Sequence, residues 1–206
     1  MLLRNKAKRV IILFAVITVG INISCDNDPE PISVAELSDQ SRLIEFVQKE
    51  INPKLEHAFY GRFGIDTTKK IIVAEEISNP KEWGIKFQLY ELDEDTVKKV
   101  YETALLEGSL QESQILKTKF PGKKYNVIYY NSGSFFMGSG GGEVFAYLID
   151  FEKRRVNYGH LVLSRQIYMG LFLSPSNERE VSDFITSEFK RDYPRLKVIQ
   201  KDYELE

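Results

Sequence analysis

The side chains of this chain best suited to catalysis or metal binding are two histidines, one cysteine and 30 acidic residues. The histidines, His57 and His160, lie in different halves of the sequence, and the His-Glu-x-x-His pattern of zinc hydrolases does not occur. A Gly-x-Ser-x-Gly nucleophile elbow is absent as well. We therefore assign no catalytic residue, no metal ligand and no cofactor from the sequence.

An alternative hypothesis is nevertheless an enzyme, a hydrolase that uses His160 and carboxylates. Carboxylates and an imidazole suffice for general acid-base hydrolysis, and many carboxylate enzymes carry no linear motif. The simpler interpretation is structural, because His160 lies in the middle of a predicted strand, beside Tyr158 and Val162 on one face. There a hydrogen-bonded structural histidine is expected.

Residues 133–143, GSFFMGSGGGE, form the most glycine-rich stretch of the chain. Such loops can hold phosphate because bare backbone N–H groups approach an anion closely. This stretch lacks the Gly-Lys-Ser/Thr end of a P-loop, and an apolar β-like run follows it instead of a helix. We interpret it as a hairpin connection, with Phe135, Phe136 and Met137 as an apolar tip that could contact a partner.

Lys153, Arg154 and Arg155 form a basic hairpin tip between two predicted strands. Such a turn is ordinarily solvated. The alternative is a contact with an acidic partner or with lipid headgroups, for which salt-dependent binding would be the signature.

The cysteine, Cys25, follows a distinctive N-terminal pattern. Residues 1–9 carry four basic side chains, and residues 10–23, VIILFAVITVGINI, are mostly apolar. That run is shorter than the roughly 20 residues that a bilayer-spanning helix needs. A basic start, a short apolar run and the small residue Ser24 before a lone cysteine together indicate an export signal.

Here the chain resembles a bacterial lipoprotein signal, with Asn22 and Ile23 departing from the usual Leu and small residue before the cysteine. The resemblance is limited to about the first 30 residues. It implies that residues 1–24 are a signal peptide, and that Cys25 is lipidated on sulfur, with palmitate as one acyl chain. Residues 25–33 then form an acidic, proline-containing tether. An aspartate directly after the cysteine resembles a signal for retention at the inner membrane, whereas an acidic cluster resembles a signal for display on the outer surface. Because residues 26–30 hold three acids rather than one, we favour the outer membrane.

Residues 34–206 are expected to form a single α+β domain. Ser33 and Glu36 have capping-box spacing before a first helix that ends by Pro53, and residues 55–65 are expected to add a helical turn. Residues 70–77 could form a helix or a strand, and their β-branched content favours a strand. Alternating apolar residues predict a strand in 85–89. A helix capped by Asp93 or Asp95 is predicted in 97–105 because its apolar positions recur at helical spacing. Ser109 and Glu112 predict a second, shorter helix.

From residue 125 the pattern changes to period two. Four aromatic and β-branched runs, joined by short connections, predict antiparallel strands in 125–130, 144–151, 156–163 and 167–173. A helix from about Asn177 to Tyr193 and a strand in 196–200 complete the pattern. We therefore expect one antiparallel sheet of about five to seven strands with flanking helices.

Charge narrows the range of partners. Four of the 28 basic residues and none of the 30 acidic ones precede Cys25, so the remainder carries a net charge of −6. An acidic domain repels phosphates, which disfavours nucleic-acid binding. The leading hypothesis is a non-catalytic cell-envelope lipoprotein that is held to a membrane by its lipid and binds an envelope protein or polymer. An inhibitor or immunity factor against a toxin or hydrolase is an alternative, as is the hydrolase that uses carboxylates and His160.

Overall fold

The computed structural model describes residues 33–93, 96–111, 113–136, 141–164, 168–194 and 196–200. They belong to one compact unit, Ile32–Glu206. The helices described are α1, Gln40–Glu50, and α2, Arg179–Asp192, with a 3₁₀ turn at Glu36–Ser38 before α1. The strands described are β1 His57–Gly61, β2 Lys70–Ser78, β3 Trp83–Asp93, β4 Thr96–Glu102, β5 Ser113–Lys119, β6 Asn126–Phe136, β7 Gly141–Asp150, β8 Arg155–Ser164, β9 Tyr168–Leu173 and β10 Lys197–Gln200.

These strands form two sheets. Sheet 1 has the order β1-β2-β3-β4, and sheet 2 has the order β10-β9-β8-β7-β6-β5. Neighbouring strands are antiparallel except β10, which runs parallel to β9. A parallel neighbour needs a long crossover, and α2 lies in the connection between β9 and β10. The prediction of a single sheet is therefore wrong, whereas the antiparallel run from β6 to β9 and the last helix are confirmed.

Side-chain alternation explains how the sheets are layered. In β2, Ile72 and Ala74 pack between the sheets, whereas Ile71 and Val73 pack against α1. Between the sheets, the ring centroids of Phe87 and Tyr130 are 5.4 Å apart. The other face of sheet 2 packs against α2, so the order of the layers is α1, sheet 1, sheet 2, α2.

The helix predicted in 97–105 is a strand, β4, with connecting residues after it. A break in register between Leu89 and Tyr90 marks a bulge, which lets neighbouring residues of β4 turn to one side. Val97 packs with the apolar residues between α1 and sheet 1, while Val100 and Tyr101 both pack between the two sheets. The bulge therefore produces the three-and-four spacing that is typical of a helix.

Two further helical predictions are wrong because the predicted segments pair with neighbouring strands. The segment after Ser109 forms β5, an edge strand whose seven residues pair with β6. The turn predicted in 55–65 is replaced by β1, which pairs with β2. Both segments are short, and pairing with a long neighbouring strand outweighs the weak local preference. No helix among the described residues combines the length and the apolar character needed to cross a membrane.

Candidate functional site

The two sheets separate at one end of the sandwich and leave a cleft. Tyr130 of β6 and Tyr147 of β7 are buried between the sheets, and their rings stack with centroids 5.8 Å apart. Residues two positions further towards the β6–β7 connection lie on the same face of sheet 2. There Ser132 pairs with Phe145, and both line the cleft.

The cleft has a volume of about 250 Å³. Sheet 2 provides its floor, Trp83 of sheet 1 provides one wall, and the connection between β4 and β5 provides the other. We call it the Trp83 cleft. Its lining residues are Trp83, Glu107, Gly108, Ser109, Ser132, Gly133, Ser134, Glu143 and Phe145.

Trp83 is the only tryptophan of the chain, and 53% of it is exposed. It is the first residue of β3, where it pairs with Ser78 of β2. The turn before it is ordered by Asn79, whose Oδ1 accepts hydrogen bonds from the backbone N–H groups of Lys81 and Glu82 at 2.9 and 3.0 Å. A large aromatic ring is thus presented to solvent from a well-ordered hairpin.

The second wall is the segment 103–111, which passes from sheet 1 to sheet 2 and which we call the crossover segment. On the sheet 1 side, Leu106 and Ile85 exchange backbone hydrogen bonds of 2.9 and 2.8 Å. On the sheet 2 side, the Tyr130 hydroxyl donates to the carbonyl of Glu107 at 3.2 Å, and the Tyr147 hydroxyl accepts from its N–H at 3.2 Å. Sheet 1 therefore holds the backbone of Leu106, and sheet 2 holds the backbone of Glu107, the next residue.

Gly108 lets the crossover segment approach sheet 2 closely. Its φ angle is 127°, and a Cβ at this position would collide with the Tyr130 hydroxyl. The next residue is fixed by two side chains. The Ser109 N–H donates to Ser132 Oγ at 3.1 Å, and its hydroxyl lies 3.3 Å from Glu76 Oε1.

Burial keeps the two tyrosine hydroxyls of this wall protonated. Loss of solvent raises the pKa of Tyr130 to about 12, with a smaller opposing effect from the hydrogen bond to Ser132. Burial also raises the pKa of Tyr147. At neutral pH both hydroxyls are neutral, which suits their hydrogen bonds to the backbone of Glu107.

On the floor, Glu143 of β7 contacts His160 of β8. Glu143 Oε2 is 2.9 Å from His160 Nε2, and the imidazole stacks on Phe145 with centroids 4.4 Å apart and planes 6° from parallel. His160 thus lies in mid-strand with a hydrogen-bond partner, as expected for a structural histidine. Its contact with Glu143 fixes one oxygen of that carboxylate beside the cleft.

No family model, curated protein or solved structure matches this chain. The function is therefore inferred from the site itself. Among the described residues, no group of three or more His, Cys, Asp or Glu side chains is placed to hold a metal ion.

Two larger cavities lie on the described surface, and some of the acidic side chains in their lining are already engaged. In one, of about 370 Å³, Glu188 forms an ion pair with Arg191 at 2.9 Å. In the other, of about 320 Å³, Glu75 accepts hydrogen bonds from Gln88 and Asn52, at 2.7 and 3.2 Å. In the Trp83 cleft, the Glu107 carboxylate has no hydrogen bond or ion pair with any described residue. The cleft is also lined by an exposed tryptophan, which the lining of the two larger cavities lacks.

The predicted contact residues lie elsewhere. Lys153 and Arg155, at the β7–β8 turn, contact Glu178 Oε1 at 2.7 and 3.3 Å, and the Arg154 guanidinium lies 5.7 Å from the centre of the Tyr101 ring. These basic side chains therefore have intramolecular partners, and the Lys153 ion pair, with smaller contributions from other basic groups, lowers the pKa of Glu178. A role in binding a partner stays a prediction.

The apolar tip is described only in part. β6 and β7 form the expected hairpin, but its strands extend into the predicted connection, where Phe135 and Phe136 pair with Gly142 and Gly141. Met137 and Cys25 lie outside the described residues. Sequence reasoning missed Trp83 and Glu107, although Trp83 continues the alternation of Ile85, Phe87 and Leu89 and was thus the one detectable signal.

Proposed function

We propose that this protein is a non-catalytic binding module of the cell envelope, attached to the outer membrane by lipid on Cys25, and that its ligand binds in the Trp83 cleft. The N-terminal pattern supports the anchor. The observation that supports binding is the 53% exposed Trp83 in a wall of a concave site. Exposed aromatic side chains beside a few polar groups are typical of ligand sites, and tryptophan is enriched among binding hot spots.

The geometry also favours recognition at this position. Trp83 lies on an ordered hairpin, and the facing wall is held by Tyr130, Tyr147 and Glu76. A preformed site requires less ordering when its ligand binds, so more of the contact energy appears as affinity. An envelope protein or polymer is the expected partner.

Co-sedimentation tests this proposal. The full chain in detergent is incubated with purified insoluble cell-wall polymer or with detergent-insoluble envelope proteins, and the bound fraction is measured against protein concentration. Trp83→Ala should weaken binding about tenfold or more, as expected for a tryptophan anchor.

The matched control is Ile65→Ala, because Ile65 is also apolar and 69% exposed but does not line the cleft. This variant should bind like the unmodified protein. Equal binding by Trp83→Ala and the unmodified protein in both fractions would show that the cleft is not the binding site.

A hydrolase is the second candidate, and one observation favours it. Glu107 and Glu143 line the same cleft, and His160 contacts Glu143. Two carboxylates at one cleft can act as acid and base. If the cell-wall polymer is a substrate, soluble fragments should appear during incubation, and Glu143→Gln and Glu107→Gln should each abolish their release.

A further inference from the structure

We propose that the Trp83 cleft recognises a cationic group on its ligand, an alkylammonium or a guanidinium. This inference rests on the proposed function and specifies the chemistry of the ligand. It combines the aromatic walls, the charges that line the cleft and its size.

The aromatic groups come from both sheets. Trp83 belongs to β3, Phe145 belongs to β7, and both line the same cavity. The face of an aromatic ring carries negative electrostatic potential, and tryptophan is the most favourable of the three aromatic residues for a cation. Phe145 is already covered on one side by the imidazole of His160, so Trp83 is the ring most open to a ligand.

The charged side chains in the lining are both acidic. They are Glu107 and Glu143, and the described residues that line the cleft include no lysine or arginine. Glu143 has one oxygen engaged by His160, whereas the Glu107 carboxylate lacks a partner among the described residues. Carboxylates that line a cleft without a lysine or arginine attract a cation and repel a phosphate or a carboxylate.

A third carboxylate, that of Glu76, contacts the crossover segment and adds to the negative potential of the cleft. Glu76 accepts a hydrogen bond from the Leu110 N–H at 3.0 Å, and its Oε1 lies 3.3 Å from the hydroxyl of Ser109. Ser109 itself lines the cleft. Because these groups are uncharged donors rather than lysine or arginine, they orient the Glu76 carboxylate without cancelling its charge.

The size of the cleft fits one functional group rather than a large ligand. Its volume of about 250 Å³ is just below the range of roughly 300–1,000 Å³ that is usual for drug-sized molecules. A lysine or arginine side chain, or an amine borne by a polymer, would place its charge near Glu107 and the ring of Trp83. A neutral sugar would gain the ring contact but not the charge.

Trp83 provides a direct readout because it is the only tryptophan of the chain. The full chain in detergent is titrated with N-acetyl-lysine amide, N-acetyl-arginine amide and n-butylammonium, while tryptophan emission is recorded. The neutral controls are n-butanol and N-acetylglucosamine. We expect a saturable change with the cations alone, and weaker binding as salt is raised.

Charge variants test the assigned carboxylate. Glu107→Gln should weaken binding of the cations about tenfold, which corresponds to about 1.4 kcal/mol. Glu180→Gln removes the same charge from the exposed part of α2, a helix that packs on the opposite face of sheet 2, and should leave the affinity unchanged. Both positions are exposed, so neither variant should disturb folding, and circular dichroism checks this.

The cations also separate two sources of the ligand. Preference for the lysine and arginine amides over n-butylammonium would indicate a basic side chain of an envelope protein, and the reverse preference would indicate an amine of a polymer or small molecule. Either result supports the cationic site.

Two results would overturn the inference. A saturable response to N-acetylglucosamine without a response to the cations would replace it with a neutral sugar site. No response to any cation would also reject it, even if binding to cell-wall polymer or to envelope proteins still required Trp83, in which case the proposed function would stand. If binding also did not require Trp83, both the cationic site and the proposed function would be rejected.

Discussion

Tyr130 shows how a single side chain stabilises the candidate site. Its ring packs between the sheets against Phe87, and its hydroxyl donates to the carbonyl of Glu107 in the crossover segment. A buried hydroxyl without a partner would be costly, so this hydrogen bond both satisfies the tyrosine and fixes the wall. The charge at Glu107 is thus placed by a residue that does not itself line the cleft.

Removing this hydroxyl should have two measurable effects. Tyr130→Phe leaves the Glu107 carbonyl without its donor and should lower the free energy of unfolding by about 1 kcal/mol at neutral pH. The control is Tyr101→Phe, because the Tyr101 hydroxyl makes only a 3.5 Å contact with the Arg154 carbonyl. Urea denaturation measures both variants.

The second effect appears in alkali. The pKa of Tyr130 is raised to about 12 in the folded protein from an ordinary 10.0, so the unfolded chain loses this proton first. The stability that the raised pKa of Tyr130 contributes is complete below pH 10 and is lost as pH rises towards 12. Tyr130→Phe should therefore show a shallower fall in stability over this interval, and equal slopes for the two proteins would contradict the assigned burial.

At the scale of elements, the contact between α2 and sheet 2 depends on Gly159 of β8. A Cβ at this position would lie 2.8 Å from Ile185 Cγ2 of α2 and 3.1 Å from Leu173 Cδ2. Ile185 is fully buried, so it cannot move aside without repacking the helix. The absence of a side chain at residue 159 is what lets α2 lie close to the sheet.

Gly159→Ala should therefore lower the free energy of unfolding by about 1–3 kcal/mol, because overpacking forces a shift of α2. Ile185→Ala removes the methyl group that collides and should be destabilising by itself through a cavity. In the double variant the collision is gone, so its cost should be less than the sum of the single costs. Additive costs in thermal or urea unfolding would show that the collision is relieved elsewhere.

At the scale of the whole molecule, the layers of α1, sheet 1, sheet 2 and α2 leave the end of the sandwich near Trp83 open. The faces of both sheets are occupied by helices or by each other, which leaves the edges and this end for contact with partners. A lipid at Cys25 would hold such a module at a membrane surface, and one acyl chain alone would anchor it only marginally.

The anchor is tested by Cys25→Ser. This variant should no longer incorporate labelled fatty acid and should partition into the aqueous phase in a detergent phase separation. Its cleft should respond to ligands as before, because the domain is separate from the lipid. Unchanged partitioning into detergent would count against lipidation at this position.

Local patterns determined much of this fold. Ile85, Phe87 and Leu89 predicted β3, the aromatic runs predicted the antiparallel strands β6 to β9, and apolar spacing predicted α2. Each of these elements is set by residues close in sequence, whose periodicity shows which side is buried. The β6–β7 hairpin also places Ser134 directly opposite Glu143, and this pairing is local because the two strands are consecutive in the chain.

The cleft depended on the tertiary structure. Trp83 of β3 and Phe145 of β7 come together only because two separate sheets pack face to face, and no periodicity records which sheet a strand joins. The bulge in β4 likewise gave this strand the apolar spacing of a helix, and only its pairing with β3 shows that it is a strand. Sequence alone therefore established the alternating faces of the strands, and it predicts a lipid on Cys25. Pairing between distant strands decided which polar and aromatic side chains share one site, because that pairing depends on the packing of the whole core.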